Sequence, residues 1–315
     1  MRDWLERHQI AVYFGCVALG AIAALALPGT GGLQAAINPA LALMLFVTFL
    51  QVPLALIGRA FGELRFMAAL LCSNFAILPV LAFALSRLAP DDALLRLGVL
   101  MVLLTPCIDY VITFAHLGRA DARLLLASTP VLLLMQMALL PLYLALFLGE
   151  TAAGLVRAGP FLHAFGWLIA LPLVLAAVVQ AWARRRPDGA RVADALGLLP
   201  VPATGLVLAL VVAATVPVLD RASAQAQAAL PLYIAFAVLA PGVGWITGRA
   251  FGLGSGALRA LCFSSATRNS LVILPLAFAV PGAVPVLPAV IVTQTLVVLL
   301  AQLAYIRLMP LVRGR

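Results

Sequence analysis

The sequence contains no lysine, and only 10% of its 315 residues are charged. A soluble domain keeps far more charge than this on its surface, so an ordinary soluble protein is excluded. The missing lysine also excludes a Walker A phosphate loop, a Schiff base and a kinase-type catalytic lysine. ATP-driven transport by this chain alone is therefore not expected.

Cysteine and histidine are also scarce, with four and three residues in the whole chain. The cysteines lie in separate apolar segments without a CxxC pair, and the histidines lack metal-ligand spacing. No Ser/His/Asp arrangement or nucleotide-binding loop is present either. We expect no disulfide framework, no metal, no cofactor and no enzymatic activity. The cysteines are Cys16, Cys72, Cys107 and Cys262.

Apolar residues make up 65% of the sequence, and the mean hydropathy is +1.15. A membrane-spanning helix needs roughly 20 apolar residues, and runs of that length recur along the chain. We predict one all-α integral membrane domain over residues 1–315. Its ten transmembrane helices are predicted at 10–27, 36–57, 66–88, 94–117, 121–148, 160–181, 197–219, 228–250, 257–280 and 285–308.

The first predicted helix has an alternative interpretation as a signal peptide. Arg2 and Arg7 precede an apolar run that ends in Ala24-Leu25-Ala26. The run is long for a signal peptide, and further spans follow at once. These features favour a retained first helix.

All 20 positive side chains are arginines, and they lie mostly in short connections between apolar runs. That position indicates membrane topology rather than nucleic-acid binding. With ten spans, fifteen arginines lie on the side of the two termini and four on the opposite side, with Arg268 inside a span. We therefore predict a bacterial-type inner-membrane protein with both termini in the cytoplasm.

The two halves of the chain, about 1–150 and 151–315, show weak similarities in the same order. VPLAL at 52–56 corresponds to VPVLD at 216–220, and Gln136 corresponds to Gln294. Chance similarity between apolar segments is the alternative. Five spans in each half would make the repeats inverted, an arrangement typical of secondary transporters.

The fourth and ninth predicted helices are interrupted by residues that do not suit a membrane interior. The fourth contains TPCID at 105–109, and its proline removes a backbone donor. The ninth contains SSATRNS at 264–270. A proline kink and hydroxyl back-bonding would explain the interruptions but not Asp109 and Arg268, since a charge at mid-membrane costs at least ~2.5 kcal/mol. We predict two discontinuous helices that cross there and bring Asp109 and Arg268 together.

The stretch TPCIDYVITFAHLGRAD at 105–121 resembles the arsenite efflux carriers, which form a superfamily with the bile acid/sodium symporters. The resemblance implies a panel domain of helices 1, 2, 6 and 7 and a core of helices 3–5 and 8–10. It also implies that Cys107 contacts the metalloid, because trivalent arsenic prefers thiolate ligands. The carriers usually have a glutamate in helix nine where this chain has Leu271. The nearby cation of Arg268 disfavours a sodium site, so a proton carried by Asp109 is the expected coupling ion.

These features predict proton-coupled efflux of arsenite or a similar small oxyanion. The alternative is a sodium-coupled symporter of an organic anion, with Arg268 as the counter-charge. The expected partners are a small-molecule or metalloid substrate, a coupling ion and the lipid bilayer, without nucleic acid. The predicted substrate-binding residues are Thr105, Cys107, Asp109, Ser265, Arg268 and Asn269. The predicted coupling-ion residues are Asn74, Asp109, Gln136 and Gln294.

Overall fold

The structure is a computed structural model that describes residues 2–27, 29–51, 63–108, 110–149, 163, 166–217, 222–278, 280 and 282–314. Regular secondary structure within these ranges is helical, without a named strand. Seven of the described helices are long and apolar enough to cross a membrane. The chain is therefore a multi-pass membrane protein.

Thirteen helices are described. In chain order they are α1 (Arg2–Ala26), α2 (Gln34–Gln51), α3 (Leu64–Ser86), α4 (Ala93–Leu103), α5 (Val111–Leu117), α6 (Ala122–Leu148), α7 (Leu171–Arg185), α8 (Pro187–Leu196), α9 (Pro200–Thr215), α10 (Ser223–Ala250), α11 (Ser255–Ala266), α12 (Ser270–Phe278) and α13 (Val286–Leu308). The predicted fourth helix is interrupted between α4 and α5, and the predicted ninth between α11 and α12. Residues 52–57, 109, 160–162, 164–165, 218–219 and 279 of the predicted helices lie outside the described residues.

The basic stretch at 184–191, which we expected to be a connection, instead contributes to a further helix, α8. Pro187 supplies the fixed φ that suits a first helical turn, and Asp188 lies in that turn, where its negative charge is favourable. The exposed pair of Arg191 Nη1 and Asp188 Oδ1, 3.5 Å apart, adds little. The helix-favouring residues Pro187 and Asp188 therefore determine the structure of this stretch more than its high density of arginine does.

The structure divides into two compact units, and the first contains α1, α2, α7, α8 and α9. In this unit α1 and α9 approach so closely that a Cβ on Gly20 would lie 2.5 Å from the carbonyl oxygen of Ala209. Gln180 Nε2 donates to the carbonyl oxygen of Phe49 at 3.1 Å and so ties α7 to α2. Unit 1 comprises Met1–Val52, Arg157–Ser223 and Leu274–Ala289.

Unit 2 contains α3 to α6, α11 and most of α10 and α13. Gly244 and Gly248 of α10 face α11, where added Cβ atoms would lie 2.9 Å from Cys262 Cα and 2.3 Å from Leu258 Cδ1. Gly244, Gly248 and Gly252 are spaced as two consecutive GxxxG steps, and the first two glycines allow the close helix packing typical of that pattern. Gly252 lies after the end of α10 with φ of +67°, so it serves the turn instead. Unit 2 comprises Pro53–Val156, Ala224–Ile273 and Val290–Arg315.

Asp92 caps the N-terminus of α4 and also ties α4 to α10. Its carboxylate accepts hydrogen bonds from the Leu95 N–H at 3.0 Å and from Gln225 Nε2 at 3.1 Å. Burial raises the pKa of the Asp92 carboxyl, but these hydrogen bonds to its charged form lower the pKa below its usual value. The resulting stabilisation is present above the usual aspartate pKa and is lost as the pH falls through the lower folded-state value.

Candidate functional site

The two interruptions have local causes in their own sequences. The first break, residues 104–110, follows α4 and contains Pro106, which has no N–H to continue a helix. Thr105 Oγ1 donates back to the carbonyl oxygen of Met101 at 3.0 Å. The second break, residues 267–269, follows α11, where Thr267 Oγ1 donates back to the carbonyl oxygen of Phe263 at 2.6 Å. Hydroxyl bonds of this kind compete with helix continuation.

The two breaks pair with each other through their backbones. The Cys107 N–H donates to the carbonyl oxygen of Thr267 at 3.0 Å, and the Asn269 N–H donates to that of Thr105 at 2.9 Å. Pro106 and Arg268 form an antiparallel bridge between these two bonds. Unpaired peptide groups are very costly away from water, so each break supplies partners that the other needs.

The guanidinium of Arg268 lies fully buried against the ends of two helices. Its Nη2 donates to the carbonyl oxygens of Ser264 at 2.8 Å and Ser265 at 2.7 Å, in the last turn of α11. Its Nη1 donates to the carbonyl oxygen of Leu103, the last residue of α4, at 3.4 Å. The C-terminal carbonyls of a helix carry partial negative charge, so the cation stabilises both ends.

Asn74 completes the oxygen cluster around Arg268. Its Oδ1 accepts from Arg268 Nη2 at 2.7 Å, and its Nδ2 donates to Ser264 Oγ at 3.1 Å. Asn74 lies in a π-helical turn of α3, Ser73–Ile77, a feature frequent at functional sites. The adjacent Ser73 hydroxyl lies 2.8 Å from the Ser265 hydroxyl. One wide turn therefore joins α3 to the end of α11.

Two aromatic side chains complete the surroundings of Arg268. The Phe236 ring centroid lies 5.4 Å from Arg268 Cζ, within the range of a cation–π interaction. The Tyr110 hydroxyl donates to the carbonyl oxygen of Arg268 at 3.1 Å. The charge of Arg268 is thus surrounded by neutral oxygens and a ring face within the described part of unit 2.

Six of the nine predicted site residues lie together in this network. Each is 2% exposed or less, and they are Asn74, Thr105, Cys107, Ser265, Arg268 and Asn269. Asp109 lies outside the described residues, so its pairing with Arg268 stays a prediction. Gln136 of α6 and Gln294 of α13 are buried, but no described hydrogen bond joins either one to this network.

Several buried amide atoms of unit 2 have no hydrogen-bond partner within the described ranges. They are Nε2 and Oε1 of Gln136, Oε1 of Gln294, Oε1 of Gln302 and Nδ2 of Asn269. A buried polar atom without a partner costs about 1–3 kcal/mol. Buried polar atoms of this kind are free to bind water, an ion or a polar ligand.

Sequence reasoning did not identify what surrounds Arg268. Asn74 was predicted as a coupling-ion residue, and the structure shows it bound to Arg268. The carbonyls of Leu103 and Ser264 carry no signal in the sequence, because every residue has one. The ring of Phe236 is one of 15 phenylalanines, and nothing local distinguishes it.

Unit 2 also contains an apolar cavity of about 660 Å³ between α10 and α13. Cys262 of α11 and Tyr305 of α13 contribute to its lining, but no residue of either break does. Its other lining residues include Ile234, Val238, Pro241, Trp245, Leu300 and Ala304. A nearly all-apolar wall does not suit a small polar solute, so we assign the functional site to the breaks.

Membrane-length helices with two mutually paired breaks are the architecture of a secondary transporter. The sequence profile of the sodium bile acid symporter family matches residues 38–222, and the chain belongs to that family. Members of the family are membrane transporters rather than enzymes. The superfamily indicated by residues 105–121 is thereby confirmed, while the narrower likeness to arsenite carriers stays a prediction. No curated protein matches the chain.

Proposed function

We propose that this transporter extrudes arsenite or a similar small oxyanion in exchange for protons. The position of Cys107 carries the proposal. Its backbone N–H pairs with the carbonyl oxygen of Thr267, and its side chain is buried beside Pro106 in the first break. A thiol held at paired breaks suits a thiophilic substrate better than a thiol on a continuous helix does.

The chemistry of the metalloid fits this position. Arsenic trihydroxide is neutral near pH 7 and presents both donors and acceptors. The Cys107 thiol forms a sulfur–arsenic bond as one arsenic–oxygen bond breaks, and the thiol proton leaves with that hydroxide as water. The remaining hydroxyls match an amide such as that of Asn269 in the second break, whose Nδ2 has no described partner. The buried amides of unit 2 support a polar uncharged solute.

The coupling ion of this proposal is a proton carried by Asp109, with Asn74, Gln136 and Gln294 as further members of the pathway. Arg268 is a fixed positive charge, and the antiparallel bridge pairs it with Pro106, the residue next to Cys107. A nearby fixed cation repels a sodium ion but does not prevent a carboxylate from exchanging a proton. The cation at the bridge therefore supports proton coupling.

We further propose ten spans in two inverted repeats, with α4/α5 and α11/α12 each crossing as one broken span. The antiparallel pairing of the breaks supports inversion, since residues 105 and 107 pair with 269 and 267 in reversed order. Unit 1 contains the helices predicted for the panel, and unit 2 contains most of those predicted for the core, which supports that division. Most of α12, predicted as part of the core, is in unit 1. The arginine distribution supports cytoplasmic termini in an inner membrane.

Sodium-coupled uptake of an organic anion is the second candidate, and the description of the family favours it. In this alternative Arg268 is the counter-charge of the substrate. Its Nη nitrogens already donate to three backbone carbonyls and Asn74, and the side chain is fully buried. Nη2 is fully engaged by three short contacts, while Nη1 makes one long contact and Nε has no described partner. The complete burial of the side chain and the engagement of Nη2 favour the first candidate.

Transport into everted membrane vesicles distinguishes the two candidates. Arsenite and a panel of organic anions are supplied with and without sodium, and with and without an imposed proton gradient. We expect gradient-driven arsenite accumulation that is unaffected by sodium, and we expect Asp109→Asn to abolish its pH dependence. Sodium-stimulated movement of an organic anion without arsenite transport would replace the first candidate by the second.

A further inference from the structure

Three oxygens converge on one nitrogen of Arg268. Asn74 Oδ1, the Ser264 carbonyl oxygen and the Ser265 carbonyl oxygen lie 2.7, 2.8 and 2.7 Å from Nη2. A terminal guanidinium nitrogen has only two hydrogens, so three short contacts exceed its directed hydrogen bonds. The cluster therefore holds Nη2 by its positive charge as well as by hydrogen bonding.

These oxygens come from the kinds of group that bind cations in proteins. Two are carbonyls at the C-terminal end of α11, where the helix dipole is negative, and the third belongs to a neutral amide of α3. Unwound carbonyls and the C-terminal ends of broken helices are the groups by which transporters of this architecture hold sodium. Here they surround a charge that is part of the chain.

The position also needs a cation for structural reasons. The carbonyls of Leu103, Ser264 and Ser265 belong to helix ends that lie away from water, and the Arg268 side chain between them is 0% exposed. Without a positive charge these helix ends would face one another with unpaired carbonyls. A cation there joins α3, α4 and α11 into one block.

We propose that the Arg268 guanidinium permanently occupies a monovalent cation site, so that a tethered cation replaces a bound sodium ion in this protein. The chain then needs no sodium to hold α3, α4 and α11 together, and removing the side chain creates a site that accepts sodium. The consequence for transport rests on the proposed function, whereas the binding property does not.

Thermal unfolding of the purified full-length chain in detergent tests the proposal. The wild type, Arg268→Ala and Arg268→Ala/Asn74→Ala are compared in sodium chloride and in choline chloride of equal concentration. Sodium at ten times its Kd should raise the midpoint of Arg268→Ala by about 2 °C. Sodium should leave the midpoint of the wild type unchanged. It should also have no effect on Arg268→Ala/Asn74→Ala, in which residue 74 no longer supplies an oxygen. Arg249→Ala, which removes an exposed arginine of α10, is the control and should also be insensitive to sodium.

Methylguanidinium chloride provides a second probe, because it restores the missing group itself. It should raise the midpoint of Arg268→Ala and not that of Arg249→Ala. Recovery of Arg268→Ala from membranes in sodium chloride but not in choline chloride also supports the proposal. It is overturned if sodium stabilises the wild type, if neither cation stabilises Arg268→Ala, or if that variant is lost in both salts. None of these readouts requires transport, so they stand apart from a negative vesicle assay.

Discussion

Arg268 is a charged side chain whose described hydrogen-bond partners in the membrane interior are all neutral. Its guanidinium is stabilised by helix-end carbonyls, by the amide of Asn74 and by the ring of Phe236. Each contact is modest alone, but hydrogen bonds to a charged group contribute about 1.5–3 kcal/mol apiece. Several such hydrogen bonds together can offset the desolvation cost of a guanidinium. Removing any one of them leaves the buried charge less stabilised.

Cys107→Ser tests the proposed role of the thiol at the same scale. The hydroxyl is nearly isosteric but does not bind trivalent arsenic strongly, so arsenite resistance should fall to the level of cells without the transporter. Growth on graded arsenite in a hypersensitive host measures this, with protein levels matched by immunoblotting.

Cys262→Ser is the matched control, since Cys262 has the same 1% exposure but lies within α11 rather than in a break. It should retain resistance. Full resistance in Cys107→Ser at equal expression would remove arsenite chemistry from the first break.

At the scale of elements, the position of α11 depends on how closely α10 approaches it. A Cβ on Gly244 would lie 2.8 Å from Ser265 Oγ and 2.9 Å from the Cα of Cys262. The second contact is with backbone, which cannot rotate away. The close approach therefore fixes the Ser265 carbonyl that accepts from Arg268.

Gly244→Ala should consequently destabilise the protein by about 1–3 kcal/mol, the usual result of overpacking. Gly242→Ala is the matched control on the same helix, because apart from the local backbone of α10 no described atom lies within 4 Å of its added Cβ. That control should be neutral or gain up to about 1 kcal/mol from the lower flexibility of the unfolded chain. Unfolding midpoints in detergent measure both, and equal midpoints would contradict the close packing of α10 on α11.

At the scale of the whole molecule, the distribution of arginine should determine how the chain inserts. Fifteen arginines lie on one side and four on the other under the ten-span prediction. Helix α8 occupies the central connection on the arginine-rich side, next to Arg184 and Arg185 at the end of α7. An amphipathic helix with flanking arginines is compatible with the anionic surface of a cytoplasmic leaflet.

Reporter fusions test this orientation. Fusions after Gly197, where α8 has ended, and after Arg315 should both be active with a reporter that works only in the cytoplasm. The same fusions should be inactive with a reporter that needs the periplasm. Periplasmic activity at only one of the two positions would contradict an even number of spans between them and, with it, the inverted repeats. Periplasmic activity at both would reverse the predicted orientation.

Most of the described helices and both interruptions were predictable from the sequence. Both depend on local properties: apolar runs are long enough to cross a membrane, Pro106 cannot donate a hydrogen bond, and a polar run such as residues 264–270 cannot continue a lipid-facing span. The extra helix α8 and the π turn of α3 were not predicted. The high density of arginine at 184–191 obscured α8. The π turn of α3 differs from an α-helix only by a shift in hydrogen bonding, which leaves the composition of the segment unchanged.

The hydrogen-bond partners of Arg268 depend instead on contacts between distant parts of the chain. Asn74 precedes it by 194 residues, and Leu103 by 165 residues. The other oxygens that accept from Arg268 belong to backbone carbonyls. Every residue has a backbone carbonyl, so no side-chain pattern in the sequence predicts which ones will be used. From the sequence we predicted that the buried cation pairs with the carboxylate of Asp109, and that pairing stays a prediction. Only the folded chain shows that helix ends and a neutral amide surround the charge, because their dipoles act once α3, α4 and α11 have been brought together.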